Sequence, residues 1–204
     1  MKTYNTGETN QDLKEKYNPE GSTLRKAQLR MLEMLKYIDK ICKTENIDYQ
    51  LNAGNVLGAV RHGGFIPWDD DVDIIVPYKD YKRLCKYLEE HPHPQFKLQN
   101  HKSDSHFYNF WNVFRDLKSE YIQDNVRHNV RKFRGLQIDI FPIHKGYNLF
   151  LHKAAAYLNY KLILKHIEKK RWHRIEVGYC VLNYVIFPLF YLLSYVSSQK
   201  LAHN

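Results

Sequence analysis

Cysteine is scarce in this chain, with three in 204 residues, at positions 42, 85 and 180. They show neither the short pairwise spacing of a zinc site nor the even count of a disulfide framework, which points to a reduced, cytoplasmic compartment. The first 22 residues have no apolar run of the kind that marks a secretory signal, nor any apolar periodicity, so they read as a flexible or loosely docked lead-in (1–22). Internal repeats and low-complexity tracts are absent, which excludes solenoid and linker architectures. No nucleic-acid recognition motif accompanies the basic composition, and nucleic acid is accordingly not expected as a partner.

The chain does have positive charge and apolar mass. A formal charge of +9 suits an anionic partner such as a nucleotide, a phosphorylated polymer or a lipid surface. The 44% hydrophobic and 14% aromatic content suits a folded core, and the length suits one catalytic-sized domain with an appendage. Leu24, Leu29, Leu32, Leu35, Ile38 and Ile41 recur at helical spacing, predicting a helix over 24–45 capped by Ser22 or Thr23. Further on, a strand is predicted at 48–51, a short helix at 56–61 ended by His62-Gly63-Gly64, and a helix at 78–90. Strand candidates follow at 96–99, 107–114, 120–123 and 135–141. This mixture predicts an α/β (α+β) domain over 23–150, a small mixed sheet flanked by helices.

Four aspartates, Asp69, Asp70, Asp71 and Asp73, fall within five residues and run into the apolar stretch Val72-Ile74-Ile75-Val76, with Asp80 following at a helix start. Such a cluster entering a buried strand is poorly explained as a solvated face, because unpaired buried carboxylates cost several kcal/mol. Oxygen-rich clusters suit hard divalent cations. Strand alternation puts Asp71 and Asp73 on one side and Val72 and Ile74 on the other. A second carboxylate strand, Ile138-Asp139-Ile140, and a Gly54-Asn55 turn ahead of the aspartates complete a constellation of the nucleotidyltransferase type. In it the turn approaches a phosphate and Asp71, Asp73 and Asp139 hold metal.

The segment from Leu57 through Arg61-His62-Gly63-Gly64-Phe65-Ile66-Pro67-Trp68 to Ile74 resembles the central motif of the LicD family. The likeness continues in Asn112-Val113-Phe114-Arg115-Asp116 and in Gly135-Leu136-Gln137-Ile138-Asp139-Ile140-Phe141-Pro142-Ile143, covering roughly residues 25–150. It implies a nucleotidyltransferase-like fold and a magnesium-dependent phosphotransferase, with manganese as the substitute ion. Such an enzyme moves phosphocholine or a similar alcohol phosphate from CDP-choline or another CDP-alcohol to a cell-surface glycan, releasing CMP. Asp139 is then the third catalytic carboxylate, placed to activate the acceptor hydroxyl. Two departures stand out: Asn55 replaces the usual Thr or Ser, and a C-terminal Tyr-Gly-rich motif is not found before Asn204. The alternatives are a nucleotidyltransferase acting on a sugar or antibiotic, and a shortened, inactive member retained for binding or regulation at the membrane.

Around the carboxylates, Arg61 suits bidentate contact with a diphosphate, with His62 beside it, and Arg115 suits a phosphate clamp with Asp116 as its pair. Trp68 suits stacking on a base or on choline, with core packing as the competing reading. Asp69 and Asp70 either touch substrate and support the ligands or cap the turn. Arg127, Arg131, Lys132 and Arg134 form a basic run suited to a solvated loop or an anionic acceptor. Over 151–204, a basic helix carries seven Lys or Arg against one Glu between His152 and Arg174. The charge-free stretch from Val177 to Gln199 follows, interrupted by Asn183 and Pro188 and rich in aromatics, and it suits attachment to the inner face of the cell membrane, with a true span or a buried core helix as the alternatives.

Overall fold

The computed structural model describes residues 7–107, 109, 111–122 and 129–143, with isolated positions at 185, 189 and 192. Two compact units are present: Met1–Gln99 with Trp111–Tyr121 and Phe133–Ile143, and Asn100–Phe110 with Ile122–Lys132 and His144–Asn204. All the regular elements below lie in the first.

Its centre is a five-stranded mixed sheet in the order β1-β2-β5-β4-β3. The strands are β1 (Gln50–Leu51), β2 (Asp73–Pro77), β3 (Phe96–Gln99), β4 (Asn112–Asp116) and β5 (Gln137–Ile143). Only β2 and β5 are parallel, and the other neighbours are antiparallel. Four helices accompany the sheet: α1 (Asn10–Tyr17), α2 (Thr23–Glu45), α3 (Ala53–His62) and α4 (Tyr78–Glu90). Alternation decides which face of the sheet they cover. Ile74 and Val76 of β2 and Ile138 and Ile140 of β5 are fully buried in one cluster with Met31, Met34 and Ile38 of α2 and Leu84 and Leu88 of α4. The intervening residues of β2 and β5, Asp73 and Asp139 among them, therefore face the other way. The mixed α/β architecture expected from the sequence is the one observed.

Helix boundaries follow local chemistry. Ser22 caps α2 by accepting the Arg25 N–H at 3.1 Å, and Asn46 ends it in the left-handed conformation (φ 50°). Gly63 (φ 65°) ends α3 where His62-Gly63-Gly64 predicts a stop. Asp80 sits in the first turn of α4, paired with Arg83 at 2.8 Å.

Four expectations are corrected. Within the lead-in expected to be flexible or loosely docked, residues 10–17 form the helix α1, fixed by a reciprocal Thr9–Asp12 capping box, with Leu13 buried. The strand expected at 107–114 instead runs over Asn112–Asp116. Residues 120–122 of the strand expected at 120–123 carry no ladder, Tyr121 N–H being used by the Arg134 carbonyl at 2.8 Å. Finally, the basic run 127–134 is not solvated throughout: Lys132 and Arg134 are exposed, whereas Arg131 is not. Arg131 is buried against Asn109 and Phe107, and Arg134 is paired with Glu120. Arg127, the basic helix from His152 and most of Val177–Gln199 lie outside the described residues. Among the described residues no helix is long and apolar enough to cross a membrane.

One ion pair ties α2 to the sheet edge. The Asp116 carboxylate is 1% exposed and meets Arg30 at 2.7 Å. Burial pushes this carboxyl up, but hydrogen bonds from Arg30 and Ser119 outweigh it and hold it below the usual range. Replacing Arg30 by Met strands a buried charge, and urea denaturation is expected to show a loss of about 3 kcal/mol or more. The exposed Arg25–Glu20 pair, broken by Arg25→Met, is expected to cost at most about 1 kcal/mol.

Candidate active site

The site forms where the parallel strands β2 and β5 lie side by side. Asp73 and Asp139 are register partners, locked by the Asp139 N–H donating to the Val72 carbonyl at 2.9 Å. Two distant carboxylates thus become neighbours on the face of the sheet away from the α2 and α4 core. The chain reaches β2 through Asp69, Asp70 and Asp71, which lie outside the strand itself.

Side chains from α3 and α2 hold that approach in place. The Asn55 amide, buried, donates to the Asp71 carbonyl at 3.1 Å and accepts the Asp73 N–H at 2.5 Å. Both ends of this amide are therefore occupied in shaping the aspartate loop. The phosphate-facing role expected for Asn55 becomes one of positioning. Gln28, also buried, donates to the carbonyls of Ile66 and Asp69 at 3.2 and 2.8 Å. Gly58 lets the Gly63-Gly64 turn fold back, since a Cβ there would lie 2.4 Å from the Gly64 carbonyl oxygen.

Gly54 and Asn55 sit in the first turn of α3, not in a separate turn. A Cβ at Gly54 would lie 2.9 Å from the Asp69 carboxylate, so a larger residue there would require that side chain to shift. Ala53 before it adopts φ 44°, and Asn52 lends no side-chain cap to the helix. The positive end of α3 therefore abuts the acidic cluster.

Electrostatically the cluster is strained. Burial first, and then the charges of Asp71, Asp139 and Asp69, push the Asp73 carboxyl up to about 7. Burial, Asp71 and Asp70 push Asp69 up to about 6, and Asp71 is raised by desolvation and by Asp70. One Asp69 carboxylate oxygen is buried and accepts no hydrogen bond. All of these are the marks of carboxylates that a cation would relieve, and an all-oxygen set suits magnesium or manganese. Among the described residues, however, no three acidic, His or Cys side chains already converge as a ligand set.

Gln137, two residues before Asp139 on the same strand face, donates to both Asp139 oxygens at 3.0 and 3.1 Å. Sequence reasoning misses it, although its i, i+2 spacing to Asp139 is a usable signal. It also misses Tyr121, whose hydroxyl donates to Asp70 at 2.7 Å.

Of the other expected site residues, Arg115 and His62 are buried and engaged elsewhere, whereas Arg61 and Trp68 stay exposed. Arg115 is fully buried, its guanidinium donating to Gln99 Oε1 at 2.7 Å and to the Gly135 carbonyl at 2.8 Å. It fastens the chain over β4 and is no open phosphate clamp, and Asp116 pairs with Arg30 rather than with it. His62 is buried, and burial, then Arg61 and Lys14, keep its imidazole below the usual range. It packs edge-on to Trp68 at 6.2 Å between ring centroids. Arg61 is exposed in the last turn of α3. Trp68 is 54% exposed and meets Tyr17 of α1 edge to face at 5.2 Å, so it is not core.

The family model described as "LicD/FKTN/FKRP, nucleotidyltransferase domain" matches residues 46–174, which include every residue of this cluster. The chain belongs to the LicD family. It is 38% identical over 77 residues to the lipopolysaccharide cholinephosphotransferase LicD of Haemophilus influenzae, a match covering 38% of this chain and 29% of that protein. An uncharacterised protein of Rickettsia prowazekii is 36% identical over 159 residues, 74% of this chain and 50% of its own length. The human ribitol 5-phosphate transferase FKRP is 40% identical over 48 residues, 24% of this chain and 10% of its own. The matches thus span half or less of the length of these relatives.

The raised Asp73 pKa has a signed consequence for this LicD-family domain. The folded state holds that proton more tightly than an unfolded chain, whose aspartates titrate near about 4. The associated stability is complete below about 4 and is lost as pH rises through about 7. In chelator, the melting temperature of wild type minus that of Asp73→Asn is expected to fall steadily across this window.

Proposed function

We propose that this chain transfers an alcohol phosphate, phosphocholine or a close analogue, from a CDP-alcohol to a glycan hydroxyl, releasing CMP. The observation carrying this reading is the register pairing of Asp73 with Asp139, with the Asp69–Asp71 loop held beside them against the first turn of α3. The named activities of the Haemophilus and human relatives, a cholinephosphotransferase and a ribitol 5-phosphate transferase, favour the same chemistry.

In this reading Asp71, Asp73 and Asp139 hold a divalent cation. When bound, it would offset the charge of the donor diphosphate. The uncapped first turn of α3, with Gly54, receives a phosphate oxygen, and the exposed Arg61 supplies a cation for the leaving nucleotide. Asp139 takes the proton of the acceptor hydroxyl while Gln137 fixes the carboxylate's orientation. The new bond joins acceptor oxygen to the phosphorus bearing the alcohol. The bond from that phosphorus to the bridging oxygen breaks, and CMP leaves with the electron pair. Trp68, exposed beside the acidic loop, offers a face to a quaternary ammonium or a base. The formal charge of +9 favours work at an anionic inner membrane surface.

Purified protein supplied with magnesium, CDP-choline and a glycan acceptor is expected to release CMP, read by chromatography. Asp73→Asn is expected to lower that rate more than about 100-fold, and Gln137→Leu about 10- to 100-fold, because ligand loss exceeds loss of the group that orients a ligand. Pyrophosphate release from a nucleoside triphosphate, without CMP from any CDP-alcohol, would instead identify a nucleotidyltransferase.

A further inference from the structure

Against Asn55, which shapes the acidic loop, lies a cavity of about 300 Å³ bounded by α1, α2, α3 and residues 63–67. Its apolar walls are Leu32 and Leu35 of α2, Leu51 of β1, and Phe65 and Val72. On α2 the adjacent Met31, Met34 and Ile38 are sealed at 1% exposure or less, whereas Leu32 and Leu35 stay only half-buried. A helix face that packs fully on one side and stays open on the next is shaped around a void rather than collapsed onto it. Two cations, Lys14 of α1 and Arg25 of α2, and one carboxylate, Glu20, also line the cavity. Arg25 is shared with Glu20, whereas Lys14 makes no ion pair among the described residues. Charge and apolar lining together specify one class of occupant: a single-chain amphiphile with an anionic head.

We propose that this cavity binds such a molecule, its chain against Leu32, Leu35 and Phe65 and its carboxylate or phosphate against Lys14. Two cavity walls are the residues that shape the aspartate loop. Asn55 spans Asp71 and Asp73, and Gln28 holds Ile66 and Asp69. An occupant pressing on both clamps therefore stiffens the loop from behind, linking lipid-like ligands to the acidic site. Its binding does not depend on the transferase reading and is measured without turnover.

The full chain is titrated calorimetrically, below micellar concentrations, with decanoate, monodecyl phosphate, decyltrimethylammonium and decyl maltoside. The anionic pair is expected to bind at least about tenfold tighter than the cationic amphiphile of equal chain length. Preference for decanoate would mark a fatty-acid-like ligand, and preference for decyl phosphate a lysophospholipid-like one. Leu35→Trp, which fills the cavity, should abolish binding. Lys14→Glu should erase the preference for anions while leaving decyl maltoside binding intact, and both variants should keep their melting transitions. Equal affinity for both charges, binding unaffected by Leu35→Trp in a folded variant, or no binding of any amphiphile would overturn the proposal.

Discussion

Mutual repulsion among the carboxylates of Asp69, Asp71, Asp73 and Asp139 is the constraint around which the rest of the first unit is arranged. Left to themselves these groups would separate or protonate, and Asp73 is already pushed up to about 7. What keeps them together is backbone pairing that involves no carboxylate at all. The parallel β2–β5 ladder fixes Asp73 opposite Asp139, and the Asn55 and Gln28 amides fix the incoming loop. The apolar cluster on the other face anchors the ladder, with Ile74, Val76, Ile138 and Ile140 completely buried. Burial of one strand face thereby stabilises an unfavourable charge arrangement on the other, as in sites that bind cations or shift protons.

Much of this is legible in the sequence because it rests on alternation and short-range chemistry. The Val72, Ile74 and Val76 periodicity alone separates Asp73 from the core, and the Ser22 cap and Gly63 stop are local signals. What escapes is tertiary. Asn55 and Arg115 are polar residues in an acidic, phosphate-suited context, and sequence alone assigns them to ligand. In the structure, the shorter reach to backbone carbonyls wins, and both amide and guanidinium are spent on holding the chain. The helix α1 escapes for a different reason, since eight residues bury too little to show periodicity. Its order comes from the Thr9 capping box and from the Asn18 amide donating to Gln28 at 2.8 Å.

That last contact gives α1 a larger part than its length suggests. Through Asn18 it reaches Gln28, the clamp of the aspartate loop. Through Asn10, which donates to the Arg61 carbonyl at 3.1 Å, it reaches the end of α3, and through Tyr17 it supports the exposed Trp68. The acidic loop is thus held directly by side chains of α2 and α3 and, through Asn18 and Tyr17, indirectly by α1.

The most direct test of the carboxylate cluster as a cation site is anomalous diffraction from crystals of the protein grown with manganese and CDP. A manganese peak bounded by Asp71, Asp73 and Asp139, and lost in crystals of Asp73→Asn, is the expected result. Manganese absent from that position in well-ordered wild-type crystals, or bound there equally in Asp73→Asn, would contradict it.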